Sequence, residues 1–219
     1  MLQTVFSKNS LWGLLLLSAS CTQHDGISKL PYYNTPTFTP IFVDSEKDLA
    51  AKVPHTIGKF SLRNQNGVVI SEKDIEGKIH VADFFFTSCG VICPRMTKSM
   101  KLVQQAFVDD ETLVLLSYSV TPWIDSVARL KTYSLTNGIS SKNWHLLTGK
   151  KADIYQLARR SYFAEEELGF SKDSTEFLHT EHILLVDKRK RIRGIYNGTL
   201  VLDMQQLIAD IKTLQKESD

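Results

Sequence analysis

Cysteine is scarce in this chain. Three occur in 219 residues, and two of them, Cys89 and Cys93, stand four apart in the stretch FFFTSCGVICPRM. That number excludes a disulfide-dense framework. Charge of one sign is lacking too: Lys and Arg total 26 against 24 Asp and Glu, a net of +2. Nothing there points to nucleic acid, and no basic patch with interleaved aromatics is present. Long apolar runs are absent. The strongest, LWGLLLL near the N-terminus, falls well short of the ~20 residues needed to span a bilayer. No internal repeat is visible. What remains is an ordinary balance of 42% hydrophobic and 23% charged residues, enough for one domain with its own core.

The first twenty residues read as a targeting segment. Lys8 is the only charge before Cys21, LWGLLLL follows, and Ser18, Ala19 and Ser20 lead into Cys21. A positive start, a short apolar core and small residues before a cut describe a secretory signal peptide. A cysteine directly after them resembles a bacterial lipobox, with Ser18 where Leu is usual. Residues 1–21 are therefore expected to be a lipoprotein signal peptide ending at a lipidated Cys21. The protein would be exported and lipid-anchored to a bacterial membrane, its domain facing the periplasm or the cell exterior. In such an oxidising compartment disulfides persist. With Cys21 occupied, Cys89 and Cys93 would be a redox pair or part of a metal site.

Residues 22–56, with prolines at 31, 36 and 40, read as an extended linker or arm on the domain surface. From residue 57 the pattern is regular. A hairpin is expected around Asn66-Gly67. A buried strand follows at 78–86, a helix at 93–107, a second apolar strand at 111–120 and a helix ending at Asn137-Gly138. NWHLLTG is a short strand or connector, and KADIYQLARRSYF a helix. EHILLVD and RIRGIYNG pair across KRK, and LDMQQLIADIKTLQ is an amphipathic C-terminal helix. Strands alternating with helices argue for an α/β sheet, and the late strand pair makes it mixed. A cysteine pair between the first buried strand and the first long helix is the arrangement of a thioredoxin-like fold. It is expected over residues 57–219, with an N-terminal β-hairpin, a mixed central sheet and flanking helices.

The spacing of the cysteines carries chemistry. Residues i and i+4 of a helix share a face, with β-carbons ~5–6 Å apart. The two sulfurs can converge, and a Cys89–Cys93 disulfide is within reach of modest backbone adjustment. Unpaired amides and the dipole of a helix N-terminus favour thiolates. Two thiolates make a soft site suited to Cu(I), Zn(II) or an iron–sulfur centre. They are too few for a structural zinc site or a cluster without other ligands. His179 and His182, in FLHTEHILLVD, are candidate third ligands, and spacing alone does not choose between them. His24, His55, His80 and His145 show no partner pattern and read as structural or solvated.

Over residues 57–215 the chain resembles the Sco/SenC family of copper-binding assembly proteins. The resemblance rests on Phe84, Phe85 and Phe86, then Thr87, Cys89, Cys93 and Pro94, and on SVTPWIDS at 119–126 and WHLLTG at 144–149. His179-Thr180 also stands eight residues before Asp187, the spacing this family shows and His182 does not. The chain departs from the family at Gly90 and Val91, where Pro and Asp are common, and at Thr121, where Asp is. The resemblance implies Cu(I) held by Cys89, Cys93 and His179, with Cu(II) a further possibility. It also implies a partner in the copper-accepting subunit of cytochrome c oxidase, whose dinuclear copper centre would receive copper or electrons. Three readings stand: a copper metallochaperone, a membrane-anchored thiol–disulfide oxidoreductase using Cys89 and Cys93 as catalytic groups, and a copper or redox sensor. A histidine ligand favours copper, because dithiol exchange needs none. The residues before ILLVD are His, Thr, Glu and His. The cis-proline typical of thioredoxin-type reductases is missing there.

Overall fold

A computed structural model of the chain describes residues 29–140, 142–164 and 180–217. In chain order it has β1 (Tyr32–Tyr33), β2 (Pro40–Ile41), α1 (Glu46–Lys52), β3 (Ser61–Asn64) and β4 (Val69–Ser71). Then come β5 (Ile79–Phe85), α2 (Ile92–Ala106), β6 (Leu113–Ser119), α3 (Val127–Thr136) and β7 (Trp144–Thr148). The chain closes with α4 (Lys151–Arg160), β8 (His182–Val186), β9 (Ile192–Asn197) and α5 (Val201–Lys216). These strands form one mixed sheet in the order β2-β1-β9-β8-β5-β6-β7-β3-β4. β5, β6 and β7 run parallel, and β8 is antiparallel to both β5 and β9.

The centre of the sheet explains the apolar runs in the sequence. Every residue of β5 and β6 is buried, as expected of strands covered on both faces. Alternation then sorts the side chains. Ala82, Phe84, Leu116 and Tyr118 face one layer, with Ile154, Leu157 and Ala158 of α4. Ile79, Val81, Phe85, Leu113 and Leu115 face the other. That second layer holds Met96, Met100 and Val103 of α2, Leu130 of α3, and Met204, Leu207 and Ile211 of α5.

The turn chemistry behaves as the sequence predicts. Gly67, at φ +77°, closes the β3–β4 hairpin, with Asn64 Oδ1 accepting from the amides of Asn66 and Val68. Gly138, at φ +61°, ends α3, and the Ile139 amide reaches back to the Ser134 carbonyl at 2.8 Å. Such left-handed positions suit glycine, which has no β-carbon to clash.

The described part of the arm is neither wholly extended nor a mere surface strap: α1 forms within it, with Ser45 Oγ accepting from the Lys47 amide at 3.2 Å. Tyr33 pairs with Ile192, so β1 and β2 extend the sheet beyond β9. The Arg193 guanidinium donates to the Leu30 carbonyl at 2.8 Å, the Pro31 carbonyl at 3.1 Å and both Glu217 carboxylate oxygens at 2.7 and 2.9 Å. Tyr32 lies 4.0 Å from it, ring centroid to guanidinium. The arm is thus clamped to β9 and to the end of α5. Two-residue strands beside prolines carry no alternating signal, which hid them in the sequence.

β5, β6, β7 and β9 all finish, and β8 starts, at one end of the sheet. Cys89 follows β5 there, and this is the thiol end. The clamp on the arm lies at the opposite end, where β9 starts and α5 finishes.

Candidate metal centre

Phe86 to Val91 form the turn that carries the chain from β5 into α2. The Cys89 amide donates to the Phe86 carbonyl at 3.3 Å. Val91, the residue before the helix, offers no side-chain acceptor, and the first turn of α2 holds no acidic residue. The sulfur of Cys89 takes that place: the Cys93 amide donates to Cys89 Sγ at 3.3 Å. Helices commonly start under a Ser, Thr, Asp or Asn oxygen; here the cap is sulfur. Pro94 sits in the first turn, where its missing N–H costs no hydrogen bond.

The two cysteines are both free thiols and are unlike. Cys89 is part-exposed, while Cys93 is 4% exposed and packed with Met96 and Met100. Burial raises the Cys89 thiol, but hydrogen bonds from the backbone of Cys93, Val91 and Ile92 and from the Cys93 thiol outweigh it and hold its pKa below the usual value. Burial pushes Cys93 up to about 12; a backbone hydrogen bond from Phe86 opposes this only in part, and the neighbouring Cys89 adds to it. The two thiols thus differ: the more accessible Cys89 gives up its proton more readily than the buried Cys93.

The cysteine turn is stapled from the side. Asp125, wholly buried in the β6–α3 loop, accepts from the Thr87 amide at 3.1 Å and the Thr87 hydroxyl at 2.5 Å. It also accepts from the hydroxyls of Ser119 at 2.6 Å and Thr121 at 3.1 Å. Arg129 stands 3.5 Å from Asp125 and donates to Thr87 Oγ1 at 2.5 Å. Asp125 lies in the SVTPWIDS stretch, so the sequence marked its segment. Its role as the joint between two loops is a matter of tertiary geometry. Beneath the site, Thr97 Oγ1 and Tyr133 Oη are 2.8 Å apart.

The histidines separate. Ile183 and Leu185 of β8 face the α2–α5 layer that contains Cys93. Alternation turns His182 to the other face, where its ring meets Phe38 edge-on at 5.9 Å. His182 is therefore directed away from Cys93. His179 and Cys21 lie outside the described residues. Thr180, which follows His179, is buried, and its hydroxyl accepts from the His182 amide at 3.1 Å. The antiparallel register, Asp83 opposite Ile183, brings the start of β8 beside the end of β5. Among the described residues no group of three or more His, Cys, Asp or Glu is arranged to hold a metal. His55 and His80 are bonded within the fold, to the Ser161 carbonyl at 2.8 Å and the Tyr162 hydroxyl at 3.0 Å.

A thiol pair at this position in this sheet can be compared with known proteins. The family model described as SCO1/SenC matches residues 49–216. The chain belongs to the SCO1/SenC family. A SCO1 protein homolog of Bacillus subtilis (strain 168) is 29% identical over 161 residues, covering 73% of this chain and 82% of that protein. Three solved structures are alike in fold and sequence. BsSco, described with a disulfide switch and as a member of the Sco family of cytochrome c oxidase assembly proteins, is 28% identical with a TM-score of 0.63, over 75% of this chain and 95% of its own. A SCO1/SenC family lipoprotein from Bacillus anthracis str. Ames is 29% identical with a TM-score of 0.63, over 74% and 96%. Bradyrhizobium japonicum ScoI, solved with copper bound, is 26% identical with a TM-score of 0.58, over 73% and 99%. The thioredoxin-like fold with its mixed sheet and flanking helices is thus that of the Sco structures.

Proposed function

We propose that this protein is a copper metallochaperone that carries Cu(I) on Cys89, Cys93 and His179 and passes it to the copper-accepting subunit of cytochrome c oxidase. The observation that carries this reading is the pair of free thiols at the start of α2, where the Cys93 amide donates to Cys89 Sγ at 3.3 Å and Cys89 is the readier of the two to lose its proton. Soft, polarisable sulfur fits a soft monovalent cation. Copper in a 26%-identical ScoI supports the cargo, and the family's description as oxidase assembly proteins supports the client. For the third ligand, His182 turns away from the layer that holds Cys93, and the family resemblance nominates His179, which lies outside the described residues. Cys21 is the proposed lipid anchor; a family lipoprotein is kin to this chain, and no helix among the described residues is long and apolar enough to cross a membrane.

A second reading is favoured by the unequal thiols. In thiol–disulfide exchange the Cys89 thiolate attacks a client disulfide, forming a mixed disulfide and releasing one client thiolate. Cys93 then gives up its proton and attacks Cys89 Sγ. The Cys89–Cys93 disulfide forms, the second client thiolate leaves, and two electrons have passed to the client. A part-exposed attacker with a lowered pKa and a buried resolver are what that sequence needs.

Chelator-competition titration with Cu(I) under reducing conditions tests the first reading. The reduced protein should take one Cu(I) per chain, and the Cys89–Cys93 disulfide form none, because disulfide sulfur is no longer a thiolate. His179→Ala should weaken binding about tenfold or more, roughly 1.4 kcal/mol, and His182→Ala should leave it unchanged. Loss of copper by His182→Ala but not by His179→Ala would move the ligand assignment. Loss by neither would leave a two-thiolate site and promote the exchange reading.

A further inference from the structure

Six of the twelve large apolar side chains left exposed among the described residues gather at the thiol end. Val91 lies between the cysteines, Trp123 and Ile124 in the β6–α3 loop, and Leu200, Val201 and Leu202 where β9 turns into α5. Scattered exposed apolar residues need no explanation; a ring of them around one site does. The Thr87–Asp125 bonds hold the Trp123 loop against one side of the cysteine turn. On the other side, a β-carbon added at Gly198 would stand 3.1 Å from Met96 Cγ, one turn beyond Cys93. The β9–α5 turn therefore rests on the start of α2.

Core packing does not account for these residues. The inward face of α5 is supplied by Met204, Leu207, Ile211 and Leu214. Leu202 is 77% exposed and Trp123 59%. Cations border the ring: Arg95 and Arg129 in the first turns of α2 and α3, and Lys150 and Lys151 at the start of α4, with Lys151 Nζ 5.1 Å from the Trp123 ring centroid. Several anions at this end are engaged internally. Asp125 is buried, and Asp203 and Glu181 accept from the amide and side chain of Asn197.

The geometry also disfavours a bilayer as the occupant. The arm is clamped at the opposite end, by Arg193, and α5, sixteen residues and so ~24 Å long, separates the two ends. Only seven residues, 22–28, lie between Cys21 and Lys29, and they reach at most ~25 Å. Turning the domain over onto the membrane would require that tether to be drawn out straight.

We infer that the apolar ring around Cys89 is a docking face for a protein partner with an apolar centre and an acidic border. Resting on the function proposed above, the partner is the soluble domain carrying the dinuclear copper centre of the host's oxidase. The ring excludes water from the thiols while the two surfaces meet, and the cations set approach and register.

The test uses the full chain in detergent micelles, loaded with Cu(I), against that oxidase domain prepared without copper. Binding and copper transfer are measured for the parent and for Trp123→Ser/Ile124→Ser, Leu200→Ser/Leu202→Ser and Lys150→Glu/Lys151→Glu. Cu(I) affinity is measured on each as a check that the thiol site is intact. Each double variant should raise the dissociation constant at least tenfold with Cu(I) affinity unchanged, and the charge variant should also flatten the salt dependence. Parent and variants binding alike would overturn the docking face while leaving the copper reading in place. Ring-dependent binding without copper transfer would retain the face and remove delivery as the function. No binding by the parent would overturn the inference, and so would variants that lose adhesion, as Cys21→Ser proteins, to phosphatidylglycerol-containing vesicles.

Discussion

Two buried ionisable side chains of β5 set opposing pH dependences. Asp83 accepts a short hydrogen bond from Ser117 Oγ, which in turn accepts from Trp144 Nε1 at 2.9 Å. Burial pushes Asp83 up to about 7, and the Ser117 bond opposes this only in part. Between about pH 4 and pH 7 the unfolded chain has lost that proton while the folded chain keeps it. Stability therefore falls as pH rises through the window, by about 4 kcal/mol in all. His80, on the other face of the same strand, is pulled down to about 3 by burial, with Lys190 adding to the effect. It stays neutral in the fold, so its contribution is present above about pH 6.5 and is lost as pH falls toward 3. Asp83→Asn keeps an acceptor for Ser117 and removes the titration. The copper-free variant should melt higher than the parent at pH 8, by several degrees, and show little or no advantage at pH 4. An advantage of equal size at both pH values would mean that Asp83 is not held protonated. The sequence showed Asp83 only as a polar residue in an apolar run; its burial is set by β6 and β8 on either side and by the helix layer over its face, which no local pattern specifies.

Elements with a strong local signal were legible, and those held by distant partners were not. β5 and β6 announced themselves by unbroken apolar runs. α2 and α5 did so by helical spacing, and the hairpin and the end of α3 by Asn-Gly pairs. α4 stops at Arg160, short of the apolar Tyr162-Phe163 that the pattern would include. Phe163 adopts φ +52°, and its ring packs against Phe38 and His55. β1 and β2 depend on β9 and the Arg193 clamp, and so could not be read from residues 29–41 alone. Of the site, the cysteine turn was legible because strand, turn and helix are consecutive. The staple was not, because Asp125 and Thr87 are brought together by the pairing of β5 with β6. That joint is open to test. Asp125→Ala strands the Thr87 amide and the hydroxyls of Ser119 and Thr121 without their acceptor. Urea denaturation should show a loss of about 3 kcal/mol, and alkylation of Cys89 should change rate as its turn loosens. A loss below about 0.5 kcal/mol with unchanged Cys89 reactivity would show that the two loops are held by something else.

At the scale of the whole molecule, the sheet and α5 act as a spacer. The N-terminal arm and the C-terminal end of α5 are bound together by Arg193 at one end, while the thiols, the Trp123 loop and the start of α5 occupy the other. With Cys21 as anchor, the reactive end is held out from the bilayer by roughly the ~24 Å length of α5. Two lipid-linked acyl chains bind durably where one is marginal. The parent protein should therefore sediment with membranes and Cys21→Ser should be released; complete retention of Cys21→Ser in the membrane fraction would rule the anchor out. Orientation has its own measurement. A fluorophore attached at Lys29→Cys, in a protein carrying Cys89→Ser and Cys93→Ser, should be quenched by nitroxide-labelled lipid headgroups. The same fluorophore at Cys89, with Cys93→Ser, should not be. Short-range quenching at both positions would mean that the domain lies down on the membrane, and the docking face would then compete with lipid for its own surface. Quenching at Lys29→Cys alone would leave Cys89 presented to whatever protein stands beside the anchor.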